Sequence, residues 1–216
     1  QGIYQNWPLE SSEDGDKKVF AKFKDKADNE TTPVVASIKL DRQEPVGEEI
    51  IIDGGREFTS DKTNNVELEL KATGAIEMMV SNSSHFKTSK WQPYRETLNW
   101  TLIGGDGTKV VYVKFRDDAR NESSVASASI LLDTQPPIPQ YVKINGGKTS
   151  TKETRVVLSI KARGAEFMQV SNDPKFEGAI WEPYTASKEW DLNPGEGLKR
   201  VFVRFKDNAQ NESPHK

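Results

Sequence analysis

Aspartate and asparagine recur in a short turn that is written three times along the chain, as DKADNE, DDARNES and DNAQNES. Calcium takes several oxygen ligands at once, and carboxylate and amide oxygens are among those it prefers. Such a turn, lying near an aspartate of a linker, could bind calcium where two repeats join and stiffen the junction. The alternative is that these side chains cap their own backbone in a turn between strands. The residues of the calcium hypothesis are Asp25, Asp28, Asn29, Asp41, Asp117, Asp118, Asn121, Asp133, Asp207 and Asn211.

Aromatic residues also recur at equivalent positions, and they could serve either ligand binding or packing. Exposed tryptophan and tyrosine rings would form a platform for a surface glycan. Repetition favours packing, because every repeat needs a core and large aromatics fill small cores efficiently. The residues that we expect in the core or at its edge are Trp7, Trp91, Tyr94, Trp100, Trp181, Tyr184 and Trp190.

Asn-Xaa-Ser/Thr sequons mark sites where an N-linked glycan could be attached, if the source cell has the machinery. Several of these asparagines occupy the same turn position, so they could equally be turn residues. Pro214 weakens the last sequon further. The sequons are at Asn29, Asn82, Asn99, Asn121 and Asn211.

No arrangement of residues in the sequence predicts catalysis. His85 has no counterpart in the other repeat, where the loop SNSSH is replaced by SNDPK. Neither a nucleophile motif nor a Gly-rich phosphate loop is present, and no pair of carboxylates stands out. We therefore expect no enzymatic activity, and no cofactor unless calcium is bound.

These residues recur because the chain repeats itself. Residues 66–82 match residues 156–172, and residues 91–123 match residues 181–213, both at an offset of 90. The opening of the chain matches only the second half of such a unit, with NWPL aligned on NWTL. Self-similarity at a fixed period predicts a repeat architecture. The predicted units are a partial one (1–43), a full one (44–136) and one that lacks its last strand (137–216).

Apolar and polar residues alternate within each unit. Val66, Leu68 and Leu70 alternate with charged residues, and this period of two indicates strands with one buried face. Turns rich in Gly, Asn, Asp and Pro separate the segments, and no helical periodicity is sustained. Units of about 90 residues with roughly seven short strands predict an all-β fold of tandem immunoglobulin-like β-sandwiches. Proline-containing segments, LDRQEP (40–45) and LDTQPPIPQ (132–140), are predicted to be semi-rigid linkers.

The combined pattern MMVSN, WQPY, GDGTKVVYVKFRDDARNES and ILLDTQPP resembles the immunoglobulin-like or fibronectin-III-like tandem repeats of bacterial secreted and surface proteins. The resemblance covers nearly the whole chain. It implies a β-sandwich and an extracellular or cell-surface location, but no single activity. The family often has glycine before the turn asparagine, where this chain has Asp28, Arg120 and Gln210. Because a left-handed backbone is costly for these residues, we expect the turn to differ slightly.

The composition excludes several classes of partner. Only 34% of the 216 residues are hydrophobic, so cores must be thin. The net charge of −3, with both signs interspersed, argues against binding to nucleic acid. No apolar run is long enough for insertion into a membrane. Cysteine is absent, which excludes disulfides and thiolate metal sites.

The incomplete units at the two ends suggest how copies could associate. A sandwich without its last strand has an unpaired sheet edge. The strand Val34–Leu40 of one chain could complete the last unit of the next by strand addition, which would give a filament. The simpler explanation is that the sequence is a piece of a longer tandem array. Packing of the partial unit onto the next unit is a third alternative.

The repeats favour a structural protein that forms a stalk, fibre or filament at the bacterial surface. Its partners would be copies of itself or adjoining repeats of the same polypeptide. The alternative function is an adhesive or carbohydrate-binding accessory module of a larger secreted protein, with a surface glycan as its partner.

Overall fold

Short β-strands make up nearly all of the regular structure in the computed structural model, which describes residues 7–9 and 13–214. Within those residues the only helical elements are two 3-10 turns, Asp53–Gly55 and Asn145–Gly147, so the all-β prediction is confirmed. The strands are β1 (Gly15–Ala21), β2 (Val34–Leu40), β3 (Val46–Ile52), β4 (Phe58–Thr59), β5 (Asn65–Thr73), β6 (Glu77–Ser81), β7 (Gln92–Pro93), β8 (Thr97–Thr101), β9 (Gly107–Arg116), β10 (Ala126–Leu132), β11 (Ile138–Ile144), β12 (Arg155–Arg163), β13 (Phe167–Ser171), β14 (Glu182–Pro183), β15 (Ser187–Asp191) and β16 (Phe202–Lys206).

Strands β1 and β2 form an antiparallel two-stranded sheet, the N-terminal hairpin, in a register from Gly15 opposite Leu40 to Ala21 opposite Val34. A strand has two hydrogen-bonding edges, and this pairing engages one edge of β2 within the chain. Completion of a neighbouring chain by strand addition therefore stays a prediction.

Apolar side chains of the N-terminal hairpin lie largely in solvent. Phe20 is 65% exposed and Ile38 is 60% exposed. Trp7 is also 65% exposed, so it does not occupy the core position that the sequence led us to expect. The physical reason is that a two-stranded sheet has no second sheet of its own to cover its apolar face.

The middle segment, residues 46–132, contains two sheets with the strand orders β3-β5-β8 and β4-β10-β9-β6-β7. Strand β4 pairs with β10 in parallel. The alternation predicted for β5 is seen in its burial, since Val66, Leu68 and Leu70 are each at most 4% exposed while their neighbours face solvent.

The C-terminal segment, residues 138–206, is a β-sandwich of the sheets β11-β12-β15 and β14-β13-β16. Its core lies between the two sheets, where Leu158 and Ile160 of β12 pack in one cluster with Met168 of β13 and Phe205 of β16. Strand β16 has five residues, whereas its counterpart β9, which has β10 beside it, has ten. Backbone N–H and C=O groups need hydrogen-bond partners, and a neighbouring strand supplies them along the length of β9.

Candidate functional site

The repeated turn caps itself in each of its three copies: the first turn (25–29) in the N-terminal hairpin, the second (117–121) after β9 and the third (207–211) after β16. In every copy one carboxylate oxygen accepts the backbone N–H of the asparagine four residues later. The other oxygen accepts the side-chain amide of the same asparagine. The two distances are 3.0 and 2.9 Å in the first turn, 2.8 and 2.8 Å in the second, and 2.9 and 3.0 Å in the third.

The backbone of the turn is left-handed at the residue before the asparagine. Asp28, Arg120 and Gln210 have φ values of 66°, 68° and 69°. The left-handed conformation that the sequence suggested would be avoided at these residues is therefore present in all three copies. A residue other than glycine loses about 1–2 kcal/mol in this conformation. The two hydrogen bonds from the turn asparagine to the aspartate compensate for that cost.

The hydroxyl of the residue two positions after each turn asparagine accepts a backbone N–H of the segment that precedes the turn. The Ser123 hydroxyl accepts the backbone N–H of Phe115 at 3.0 Å, and Ser213 does the same for Phe205 at 3.0 Å. Thr31 of the N-terminal hairpin takes the equivalent N–H at 3.1 Å. These hydroxyls belong to the third residue of the Asn-Xaa-Ser/Thr pattern. The pattern therefore has a structural cause at this place in the repeat.

The second and third turns also bind the linkers that follow strands β2 and β10. The first linker is residues 41–45 and the second linker is residues 133–137. The side-chain amide of Asn121 donates to the backbone carbonyl of Asp41 at 3.0 Å, and that of Asn211 donates to the carbonyl of Asp133 at 2.8 Å. We call each of these bonds a turn–linker contact.

Two further aspartates, which the sequence analysis did not single out, hold the next residue of each linker. Asp14 accepts the backbone N–H and the guanidinium of Arg42, at 3.0 and 2.7 Å. Asp106 accepts the backbone N–H and the hydroxyl of Thr134, at 3.1 and 2.9 Å. The signal that could have found them is the Asp-Gly pair, whose glycine begins both β1 and β9 at the same distance from the linker.

The linker aspartates fold the linker locally as well. The carboxylate of Asp41 accepts the backbone N–H of Gln43 at 3.2 Å, and that of Asp133 accepts the N–H of Gln135 at 3.0 Å. Such a bond to the residue two positions later is the Asx turn, which competes with the continuation of a strand. Each linker therefore leaves its strand in the same way.

Hydrogen bonds to carboxylates lower several pKa values at the first linker and the first turn. Bonds from the backbone and side chain of Arg42 lower the pKa of Asp14. The Lys39 ammonium, followed by the Gln43 N–H, lowers the pKa of Asp41. The Asn29 side chain and backbone lower the pKa of Asp25. Donors to the charged form favour ionisation, so these carboxylates are acceptors at neutral pH.

Most of the oxygens proposed for calcium are engaged by N–H groups. Asp117 and Asp207 each accept two bonds from their turn asparagine, while Asp28 pairs with Lys24 at 2.7 Å and Asp118 is exposed. In the part of the chain that the structure describes, no group of three or more His, Cys, Asp or Glu side chains could hold a metal. Calcium binding stays a prediction, and it would require the carboxylates to exchange N–H partners for metal.

The tryptophans that precede β7 and β14 lie under cationic side chains. Trp91 is half-buried, with Arg116 4.3 Å and Lys114 5.2 Å from its ring centroid. Trp181 is also half-buried, with Lys206 at 4.3 Å and Arg204 at 5.2 Å. Cation–π contacts of this kind occupy ring surface that a sugar would need.

Tyr94 and Tyr184 occupy equivalent positions in the two segments and have packing roles. The hydroxyl of Tyr94 donates to the carbonyl of Leu70 and its ring meets Phe115 edge-on at 5.6 Å. Tyr184 repeats this arrangement, with Ile160 as acceptor and Phe205 at 5.9 Å.

Two tryptophans near the sheet β11-β12-β15 and its counterpart β3-β5-β8 are half-buried. Trp190 packs against the core cluster and donates its indole N–H to Asn172 at 2.9 Å. Trp100, its counterpart, is half-buried on β8. Trp190 therefore lies at the edge of the core.

The sequon asparagines outside the repeated turn lie in different surroundings. Asn99 is exposed on β8, and Asn82 is half-buried after β6. Among the turn positions, Asn29 is exposed and Asn121 is half-buried with both amide hydrogens donated.

Comparison with known proteins finds similar chains among solved structures only. No family model matches the chain, and no curated protein matches it. One similar solved structure is described as fibronectin(III)-like modules of CbhA from Clostridium thermocellum, with 15% sequence identity, a TM-score of 0.46, and coverage of 78% of this chain and 90% of that chain. The β-sandwich assignment therefore rests on the strands and sheets of this chain. Over the described residues, none of the helical elements has the length and apolarity to span a membrane.

Proposed function

We propose that the protein is a structural spacer of an extracellular or cell-surface protein, built from repeats that add length between the parts it connects. The observation that supports this most directly is the duplicated treatment of the linkers. Two linkers, 92 positions apart at Asp41 and Asp133, leave a strand and meet an asparagine in the same way. A chain selected to present a single reactive site has no need to build its connections twice.

Further support comes from a second pair of duplicated hydrogen bonds, those to Asp14 and Asp106. The bonds that hold Arg42 and Thr134 to an Asp-Gly turn recur with different side chains, so the geometry is kept while the residue changes. Repeats in which each unit contacts its neighbours give length without new chemistry. Partners under this proposal are adjoining repeats of the same polypeptide.

Small-angle X-ray scattering of the full chain tests the spacer role. A compact protein of 216 residues has a radius of gyration of about 17 Å. The proposal predicts a clearly larger radius and a distance distribution with a long tail. A value near that of a compact globule would refute the spacer function.

The alternative, an adhesive or carbohydrate-binding accessory module, finds less support. An exposed and coplanar row of aromatics would favour it, but the rings of Trp91 and Trp181 are half-buried beneath cations. A glycan-array screen of the full chain tests this alternative. Saturable binding that is lost in Trp181→Ala would favour it over the spacer role.

A further inference from the structure

The turn asparagine has two side-chain amide hydrogens, and the structure gives each a different acceptor. In the third turn one hydrogen goes to the carboxylate of Asp207 at 3.0 Å and the other to the carbonyl of Asp133 at 2.8 Å. Asp207 also accepts the backbone N–H of Asn211 at 2.9 Å. The turn therefore orients the amide through two bonds of its own, and the remaining hydrogen is presented to the linker.

Three features also fix the orientation of the linker carbonyl. Leu132 is buried, and the backbone N–H of Asp133 donates to the carbonyl of Thr59 at 3.0 Å. The Asp133 carboxylate accepts the N–H of Gln135. The buried leucine, the strand bond and the Asx turn together fix the direction in which the Asp133 carbonyl points.

The first linker has the same sequence pattern and the same contact. It reads Leu-Asp-Arg-Gln from position 40, where the second reads Leu-Asp-Thr-Gln from position 132. We propose that Asn121 and Asn211 are positioning residues that fix each linker to its turn through the backbone carbonyl of the linker aspartate. The inference rests on the proposed spacer function, because it names the residues that would hold the connections of the spacer.

An asparagine is required because the group must donate twice. It faces a carboxylate on one side and a carbonyl on the other, and both are acceptors. An aspartate has nearly the same shape but no hydrogen when ionised, so it would place negative oxygens against both partners. The exchange of asparagine for aspartate therefore tests the contact with little change in volume.

Amide hydrogen exchange of the full chain, followed by NMR, measures the hold on each linker separately. In Asn211→Asp we expect the amides of Thr134 and Gln135 to exchange at least about tenfold faster, since a hydrogen bond is lost and an acceptor is left facing an anion. In Asn121→Asp we expect the same for Arg42 and Gln43.

Each variant is the control for the other, because the linker of the other turn should keep its exchange rates. Asn29→Asp is the matched control for the turn itself. It removes the equivalent amide bond to Asp25, 2.9 Å long, while among the described residues Asn29 contacts no linker carbonyl. We expect both linkers to keep their exchange rates in that variant.

Lowering the pH separates a positioning role from general destabilisation. Once protonated, the carboxyl introduced at position 211 carries an O–H that can donate to the Asp133 carbonyl. Its pKa should be raised by the neighbouring Asp207 carboxylate. We expect the protection of Thr134 and Gln135 to recover as the pH falls through that pKa, after correction for intrinsic exchange rates.

Unchanged exchange of Thr134 and Gln135 in Asn211→Asp would overturn the inference, as would equal loosening of both linkers. If that variant does not fold, Asn211→Ala carries the same test, because it removes the donor without adding charge. A compact scattering profile of the unaltered chain would refute the spacer role and leave the exchange result standing, so the two failures are distinguishable.

Discussion

At the scale of single residues, the repeated motif is accounted for by hydrogen bonds. Its aspartate caps the turn, and its serine or threonine accepts a backbone N–H of the segment before the turn. In the second and third copies its asparagine also joins the turn to a linker. Its glutamate pairs with cations of the preceding strand, as Glu122 does with Lys114 at 2.6 Å. Buried backbone groups need partners, and this motif supplies them from side chains.

Ser213→Ala is predicted to lower the free energy of unfolding by about 1–3 kcal/mol, because the buried N–H of Phe205 loses its acceptor. Chemical denaturation of the full chain measures this. Thr31→Ala is the matched control and should change the free energy by less than about 0.5 kcal/mol, since its partner Phe23 is exposed to water. Equal effects of the two changes would contradict the assignment.

The first linker is predicted to loosen only in acid. The pKa values of Asp14 and Asp41 are lower in the folded chain than the usual 3.8. Their stabilisation is therefore complete above the unfolded pKa of about 4 and is lost as the pH falls through the folded pKa. Exchange protection of the Arg42 and Gln43 amides, measured from neutral pH downward, should stay constant until about pH 4. Loosening near neutral pH would show that these carboxylates do not hold the linker.

At the scale of elements, alternation along a strand decides which residues the core needs. Leu158 of β12 is fully buried, whereas its neighbour Val157 is 44% exposed on the other face. Leu158→Ala is predicted to cost about 2–5 kcal/mol of stability, and Val157→Ala about 0.5 kcal/mol or less. Calorimetry of both variants measures the contrast. A Val157 change as costly as the Leu158 change would mean that the strand register is wrong.

How far the sequence predicts the elements depends on the range of the interactions. The alternation at Val66, Leu68 and Leu70 is local, so it predicts β5 and its buried face correctly. The turn–linker contact joins Asn121 to Asp41 across 80 positions. Its acceptor is a backbone carbonyl, which every residue has, so the residue type at position 41 does not reveal the contact. The sequence showed that both residues recur, and it offered calcium binding or local capping of the turn as the reason, but not a direct bond between them.

Two further differences have local physical reasons. The exposure of Trp7 could not be anticipated from its match to Trp100, because burial depends on the sheet opposite and not on the residue itself. The left-handed backbone at Arg120 was judged too costly from its residue type alone. The bonds that Asn121 makes to Asp117 compensate for that cost, and they are visible only in the folded turn.

At the scale of the whole molecule, the chain repeats its connections together with its sheets. The hydrogen bonds at the turns do not require a metal ion. We therefore predict that excess chelator leaves the melting temperature of the full chain unchanged. A fall of several degrees, reversed by added calcium, would support the calcium hypothesis and require a different arrangement of the turn carboxylates.

The hydrogen bonds that hold the linkers are tested most directly by hydrogen exchange of the unaltered full chain at the second linker. Thr134 and Gln135 lie outside any strand but donate their N–H groups to Asp106 and Asp133. We predict that both amides are protected well above the level of a free peptide, with exchange rates close to those of the last residues of β10. Exchange at the rate of an unstructured peptide would contradict this prediction.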